Sequence, residues 1–246
     1  MKTMEEFKGT PMGDAILELN QYMEGKDLPS VELNVVGGFA MMLYGYREEN
    51  AETDIDYVGI DLPLQIQQIS SLIGQKHGLG TDWINNDLML SGISLEDFEL
   101  STGKLHFTKA IQLGKITVNV IDEKDLLRLK LIALDTALTA VELGGDFSRM
   151  KDIPDVIKLL EGQNKEINDA IAENSFYVRN KNIPTIIDLY KEQGKDAVSE
   201  YVSKQATTNI AKLYRSIETH HCSPIVDQFL IEAFERAKSE PDFGLE

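Results

Sequence analysis

Val35-Val36-Gly37-Gly38-Phe39-Ala40-Met41-Met42-Leu43-Tyr44, followed after a polar interval by Thr53-Asp54-Ile55-Asp56-Tyr57-Val58, decides the fold. The apolar run Val31 to Val36 reads as a buried strand that stops at the glycine pair, and Phe39 to Tyr46 reads as a short helix. Thr53 to Ile60 reads as a second strand, β-branched and aromatic around two acids. Strand side chains alternate, so Asp54 and Asp56 should share one face while Ile55 and Tyr57 take the other. An isolated Asp-x-Asp also describes a solvated surface strand. The order strand, Gly-Gly, helix, strand with Asp-x-Asp is more specific. Glycines at a strand-to-helix mouth let backbone N–H groups approach phosphate oxygens, where a Cβ would hold the ligand away. Paired carboxylates are what a site needs to hold Mg²⁺ against such phosphates.

Outward from this stretch, residues 13–24 have helical spacing with Ile16, Leu17, Tyr22 and Met23 toward the core, and Leu64 to Gln75 carries a stripe of Ile66, Ile69, Leu72 and Ile73. Residues 81–87, Thr-Asp-Trp-Ile-Asn-Asn-Asp, read as a polar loop with the only tryptophan. Strands are expected at Phe98 to Ser101, Leu105 to Leu113 and Lys115 to Ile121, with Leu113-Gly114-Lys115 as a tight turn. From Asp125 the pattern is helical: Asp125 to Leu143, Ile153 to Glu161, Lys165 to Asn174 and three more, with Pro184 and Pro224 near helix starts. The expected organisation is an α/β (α+β) domain over residues 1–123 and a helical domain over 124–246.

Charge narrows the partners. With 41 acids against 24 Lys and Arg, a net charge of −17 should repel long nucleic acid, whose binding rests on phosphate neutralisation. A small anionic substrate, or a structured RNA met through a local basic patch, stays open. No apolar stretch is long enough for a membrane span, the first residues lack the apolar core of a signal peptide, and one cysteine excludes an internal disulfide. A cytoplasmic protein is expected.

The segment V-V-G-G-F-A-M-M-L-Y-G-Y-R through T-D-I-D-Y-V resembles the nucleotidyltransferase signature of the DNA polymerase β superfamily. The resemblance implies a nucleotidyltransferase-type mixed sheet with flanking helices and a helical C-terminal domain. It further implies phosphate contacts at Gly37 and Gly38, catalytic and metal-ligand roles for Asp54 and Asp56, an NTP substrate and a two-metal Mg²⁺ site. Thr53 and Arg47 look similar to the bacterial branch, as nucleotide contacts. D-W-I-N-N-D (82–87), D-L-L-R-L-K-L-I-A-L (125–134) and S-R-M-K-D-I-P-D (148–155) resemble an uncharacterised bacterial group and abortive-infection nucleotidyltransferase toxins. That match implies nucleotide contacts at Lys130 and Lys151, with Asp152 and Asp155 near the cleft. It admits a toxin–antitoxin component as well as an enzyme.

One departure bears on turnover. The superfamily has a third carboxylate on a later strand, where this chain offers Asn119, and an amide cannot act as a base at neutral pH. Asp122 is an odd step away and should face the other side. Asp82, Asp87, Asp152 and Asp155 are the alternatives, with Asp152 taken as the catalytic third acid. The acceptor is open: a protein side chain, a small hydroxylated molecule or a tRNA end.

Each remaining residue has a structural reading beside the functional one. Arg47 is also an exposed helix-end arginine, Lys130 a lysine flanking the seam Leu127, Leu131 and Leu134, and Asp152 a helix cap before Pro154. Trp83 is either a base-stacking ring or a packing anchor. His220-His221-Cys222, His77 and His106 lack partners at metal-ligand spacing.

Overall fold

The computed structural model describes residues 1–48, 51–86, 95–142 and 147–220, with side chains as far as residue 209. Two compact units divide the chain, Met1–Lys130 and Leu131–Glu246.

In the first unit, α1 (Met4–Phe7) and α2 (Pro11–Gly25) precede β1 (Val31–Val35), α3 (Gly37–Leu43), β2 (Ile55–Val58), α4 (Leu64–Lys76), β3 (Ile84–Asn85), α5 (Leu95–Thr102), β4 (Phe107–Leu113) and β5 (Ile116–Ile121). α6 (Glu123–Glu142) then carries the chain into the second unit. The strands form one mixed sheet in the order β3-β2-β1-β5-β4. β1 runs parallel to β5 and antiparallel to β2, β2 is parallel to β3, and β4 is antiparallel to β5. Mixed α/β architecture, as expected, is what the chain adopts.

The sheet has one apolar face and one polar face, as period-2 alternation requires. Val31, Leu33, Val35, Ile55, Tyr57, Ile116, Val118 and Val120 are buried. Between them Glu32, Asn34, Asp56, Thr117 and Asn119 are half-buried or exposed. Register aligns Asn34 with Asn119 and places both on the Asp56 side, since Asn34 pairs with Val58 and the Val36 N–H donates to the Asp56 carbonyl at 3.0 Å.

Helix faces follow 3.6-residue spacing, with two adjustments to the expected seams. In α2 the buried row is Met12, Ala15, Ile16, Leu19 and Met23, whereas Leu17 and Tyr22 are only half-buried. In α4 Ile66 and Ile73 are buried together with Ser70 and Gly74, and Leu72 is 62% exposed. The small residues make room for Trp83, which is 1% exposed and donates its Nε1–H to the Ser70 carbonyl at 2.7 Å. A Cβ on Gly74 would stand 2.2 Å from Trp83 Cδ1. Trp83 is therefore a packing anchor. The two helices are also tied through Glu18, which accepts from Lys76 and His77; the lysine, then the histidine, hold its carboxyl below the usual range.

One expected strand is a helix. Phe98 to Ser101 lies within α5, because Glu96 and Asp97 sit in the first turn where the helix dipole favours acids. Gly103, at φ +82°, donates its N–H to the Glu99 carbonyl, and Arg128 Nε captures the Thr102 carbonyl at 2.6 Å. The polar loop also contains β3, two residues long, which extends the sheet beside β2. The Gly114-Lys115 turn is present, with Leu113 paired to Ile116 and Gly114 at φ +49°.

The described residues of the second unit form the rest of α6, α7 (Asp152–Gly162), α8 (Ile167–Glu173), α9 (Ile183–Gln193) and α10 (Lys195–His220). Its core includes Leu134, Leu138, Ile153, Val156, Leu159, Ile183, Ile186 and Ile187. Asp135 Oδ1 accepts the backbone N–H groups of Arg179 and Asn180, fixing the entry to α9. The expected final helix at Pro224, His221, Cys222, Leu143 and Asp87 lie outside the described residues.

Candidate functional site

α3 begins at Gly37, whose φ of +63° is a left-handed conformation that side chains other than glycine's rarely adopt. The preceding Val36 is extended, so the chain swings from β1 into the helix within one residue. Close approach is the second reason for glycine. A Cβ on Gly37 would lie 2.6 Å from Asp56 Oδ2, and one on Gly38 would lie 2.4 Å from the Glu52 carboxyl carbon. Two carboxylates thus rest against consecutive glycine α-carbons.

β2 supplies the first of them. Ile55 and Tyr57 are 0% and 4% exposed, which leaves Asp56 on the opposite side; Asp54 stands just before the strand, and both acids are half-buried. Ile55 is pinned by its N–H to the Trp83 carbonyl at 2.6 Å. Tyr57 accepts the Leu62 N–H, and burial pushes its phenol pKa up.

Glu52 was passed over in the sequence. It forms an ion pair with Arg47 Nη1, and both side chains are 14% exposed. It precedes β2, where strand alternation does not apply, so no local pattern announces it. Arg47 follows a tyrosine anchor: Tyr46 Oη donates to Glu123 Oε1, and Tyr44 Oη donates to the Ile121 carbonyl at 2.8 Å. Burial, with Glu123 nearby, pushes both phenols up to about 12.

The structure gathers Gly37, Gly38, Asp56 and Arg47 in one locality of the first unit, with Asp54 two residues from Asp56 along the chain. Thr53 is exposed beside them. Asn119 donates its Nδ2–H to Asn34 Oδ1 at 3.0 Å on the Asp56 face of the sheet. Asp122 leaves the strand altogether: its carbonyl accepts the Leu126 N–H at the start of α6, and its carboxylate accepts from Thr108. Lys130, expected to flank the α6 seam, is itself buried. Asp82 is exposed and bonded by Thr81.

Lys151, Asp152 and Asp155 belong to the second unit. Lys151 is exposed and holds the N-cap position of α7 without a side-chain cap bond, so Asp152 is the first helical residue, and Pro154 the third. Both acids are 2% exposed, with Arg149 Nη1 3.7 Å from Asp152 Oδ2. Of the histidines, His77 bonds Glu18, and His106 Nδ1 lies 2.8 Å from the buried Asp125, which also pairs with Arg128.

The donor set suits a hard divalent cation. Asp54 and Asp56 offer carboxylate oxygens, and Mg²⁺ is typically held by one or two carboxylates with phosphate and water completing its shell. Among the described residues no group of three or more His, Cys, Asp or Glu converges as a metal cage. Comparison of the chain with protein-family models, curated proteins and solved structures finds no match in any of the three.

Proposed function

We propose that the chain is a Mg²⁺-dependent nucleotidyltransferase that moves a nucleoside monophosphate from an NTP to a hydroxyl acceptor. The observation that carries this reading is the contact of the Asp56 carboxylate with Gly37, at the start of the helix that follows β1. Asp54 and Asp56 hold the cation, the bare α-carbons of Gly37 and Gly38 admit phosphate oxygens, and Arg47 supplies positive charge beside them. Bound Mg²⁺ supplies charge neutralisation on the phosphates. The acceptor oxygen forms a bond to the α-phosphorus, the bond to the bridging oxygen breaks, and pyrophosphate leaves with that oxygen. The acceptor proton passes to water, with Lys130 and Thr53, both in the first unit, as further nucleotide contacts. The acceptor is a protein side chain, a small hydroxylated molecule or a tRNA end. Incubation with labelled NTPs and cell lysate tests this: a labelled acceptor that fails to form with Asp56→Asn supports transfer.

No helix among the described residues is long and apolar enough to cross a membrane, and the reading sets the protein in the cytoplasm. A second reading, a nucleotide-binding interaction protein such as a toxin–antitoxin component, is favoured by one observation. Asn119, where the resemblance implies an acid, is engaged with Asn34. On that reading Mg²⁺–NTP binds without pyrophosphate release across any acceptor panel, and Asn119→Asp creates release.

A further inference from the structure

The Glu52 carboxylate rests against the α-carbon of Gly38, one of the two glycines assigned above to phosphate. Its carboxyl carbon and Oε1 stand 2.4 and 2.5 Å from the position of a Cβ on Gly38, so only a glycine lets it settle there. The same Oε1 is the atom paired with Arg47. A third acid beside Asp54 and Asp56 is repelled unless a cation holds it, and Arg47 is that cation. Carboxylates and phosphates present the same fork of oxygens to a guanidinium, and exchange between them needs no change in arginine geometry.

We infer that Arg47 and Gly38 form a phosphate subsite, and that Glu52 occupies it as an intramolecular stand-in until a phosphate displaces it. The inference rests on the nucleotide reading above and concerns how that same site is regulated. On displacement the Glu52 side chain rotates off Gly38, and Arg47 exchanges a carboxylate for a phosphate oxygen; no covalent bond changes. The apparent affinity for a phosphate ligand is then the intrinsic affinity reduced by the fraction of molecules in which Glu52 has released Arg47.

The test is calorimetric titration of the full chain with inorganic tripolyphosphate and with ATP, each with Mg²⁺. The proteins are wild type, Glu52→Gln, Glu52→Ala, Arg47→Gln, the Glu52→Gln/Arg47→Gln double variant and Asp56→Asn, all checked for fold by circular dichroism. If the stand-in occupies nine molecules in ten, both Glu52 variants bind both ligands about tenfold more tightly than wild type. That gain disappears in the double variant, because the two side chains act as one unit. Wild-type binding that needs Mg²⁺ and is lost in Asp56→Asn, with both Glu52 variants unchanged or weaker, overturns the stand-in and leaves the nucleotide site standing. A gain that persists without Arg47 overturns it too, as does a gain with ATP but not tripolyphosphate. Absence of Mg²⁺-dependent binding in every protein overturns both the inference and the reading beneath it.

Discussion

Alanine should destabilise the fold at Gly37 and be near neutral at its neighbour Gly38, although the two glycines are adjacent and both touch a carboxylate. At Gly37 the backbone is left-handed, φ +63°, and a Cβ there costs about 1–2 kcal/mol. The same Cβ would stand 2.6 Å from Asp56 Oδ2 and 3.5 Å from Asp56 Cβ, so a short side chain anchored in β2 must also shift. Stiffening of the unfolded chain by alanine returns about 0.4–1 kcal/mol, leaving a net loss of about 1 kcal/mol or more. Gly38 has no positive φ and lies inside α3. Alanine there contributes about 1 kcal/mol of helix propensity and chain stiffening. The three atoms nearest such a Cβ all belong to the longer Glu52 side chain, at 2.4, 2.5 and 2.8 Å, and that chain can rotate away at the expense of one ion pair. Gly38→Ala should therefore be near neutral. The two variants differ by about 1 kcal/mol or more, which for a chain of this size separates their melting temperatures by at least about 2–4 °C. Thermal unfolding followed by far-ultraviolet circular dichroism reads this directly. Equal melting temperatures, or Gly38→Ala the lower of the two, would refute the argument from φ and side-chain reach.

Two further outcomes follow from the same geometry. Trp83→Phe removes the Nε1–H bond to the Ser70 carbonyl and part of a fully buried ring; denaturant unfolding should show a loss of about 2–3 kcal/mol, and a loss under 1 would contradict the anchor role. Tyr44 and Tyr46 have folded pKa values of about 12 against about 10 unfolded, so the neutral phenols stabilise the fold. That stability is complete below about pH 10 and is lost as pH rises toward 12. Ultraviolet titration should show a late ionising class that shrinks in Tyr44→Phe/Tyr46→Phe; its persistence would sink the assignment.

Much of the sheet was readable because its strands bury one face: Val31 to Val35 and Ile116 to Ile121 alternate or run apolar, and Gly114 marks the turn. Phe98 to Ser101 misled because four residues cannot display a period; capping by Gly103 and Arg128, distant in sequence or conformational in nature, decided for helix. β3 was hidden because a two-residue strand exists only by pairing with β2. In the site, Asp56 declared its face through the buried Ile55 and Tyr57 on either side of it. Glu52 did not stand out, since its place against Gly38 depends on Arg47, an ion pair that no local pattern announces. Trp83 showed as an isolated aromatic, but its socket of Ser70 and Gly74 lies on another element.

The central claim, that Gly37, Gly38, Asp54 and Asp56 form a metal-dependent nucleotide site, is tested most directly by calorimetric titration with each NTP, with and without Mg²⁺. Wild type should bind at least one NTP only when Mg²⁺ is present, and Asp54→Asn/Asp56→Asn, folded by circular dichroism, should lose that binding. NTP binding indifferent to Mg²⁺ and to both substitutions, or none with any nucleotide, would contradict it.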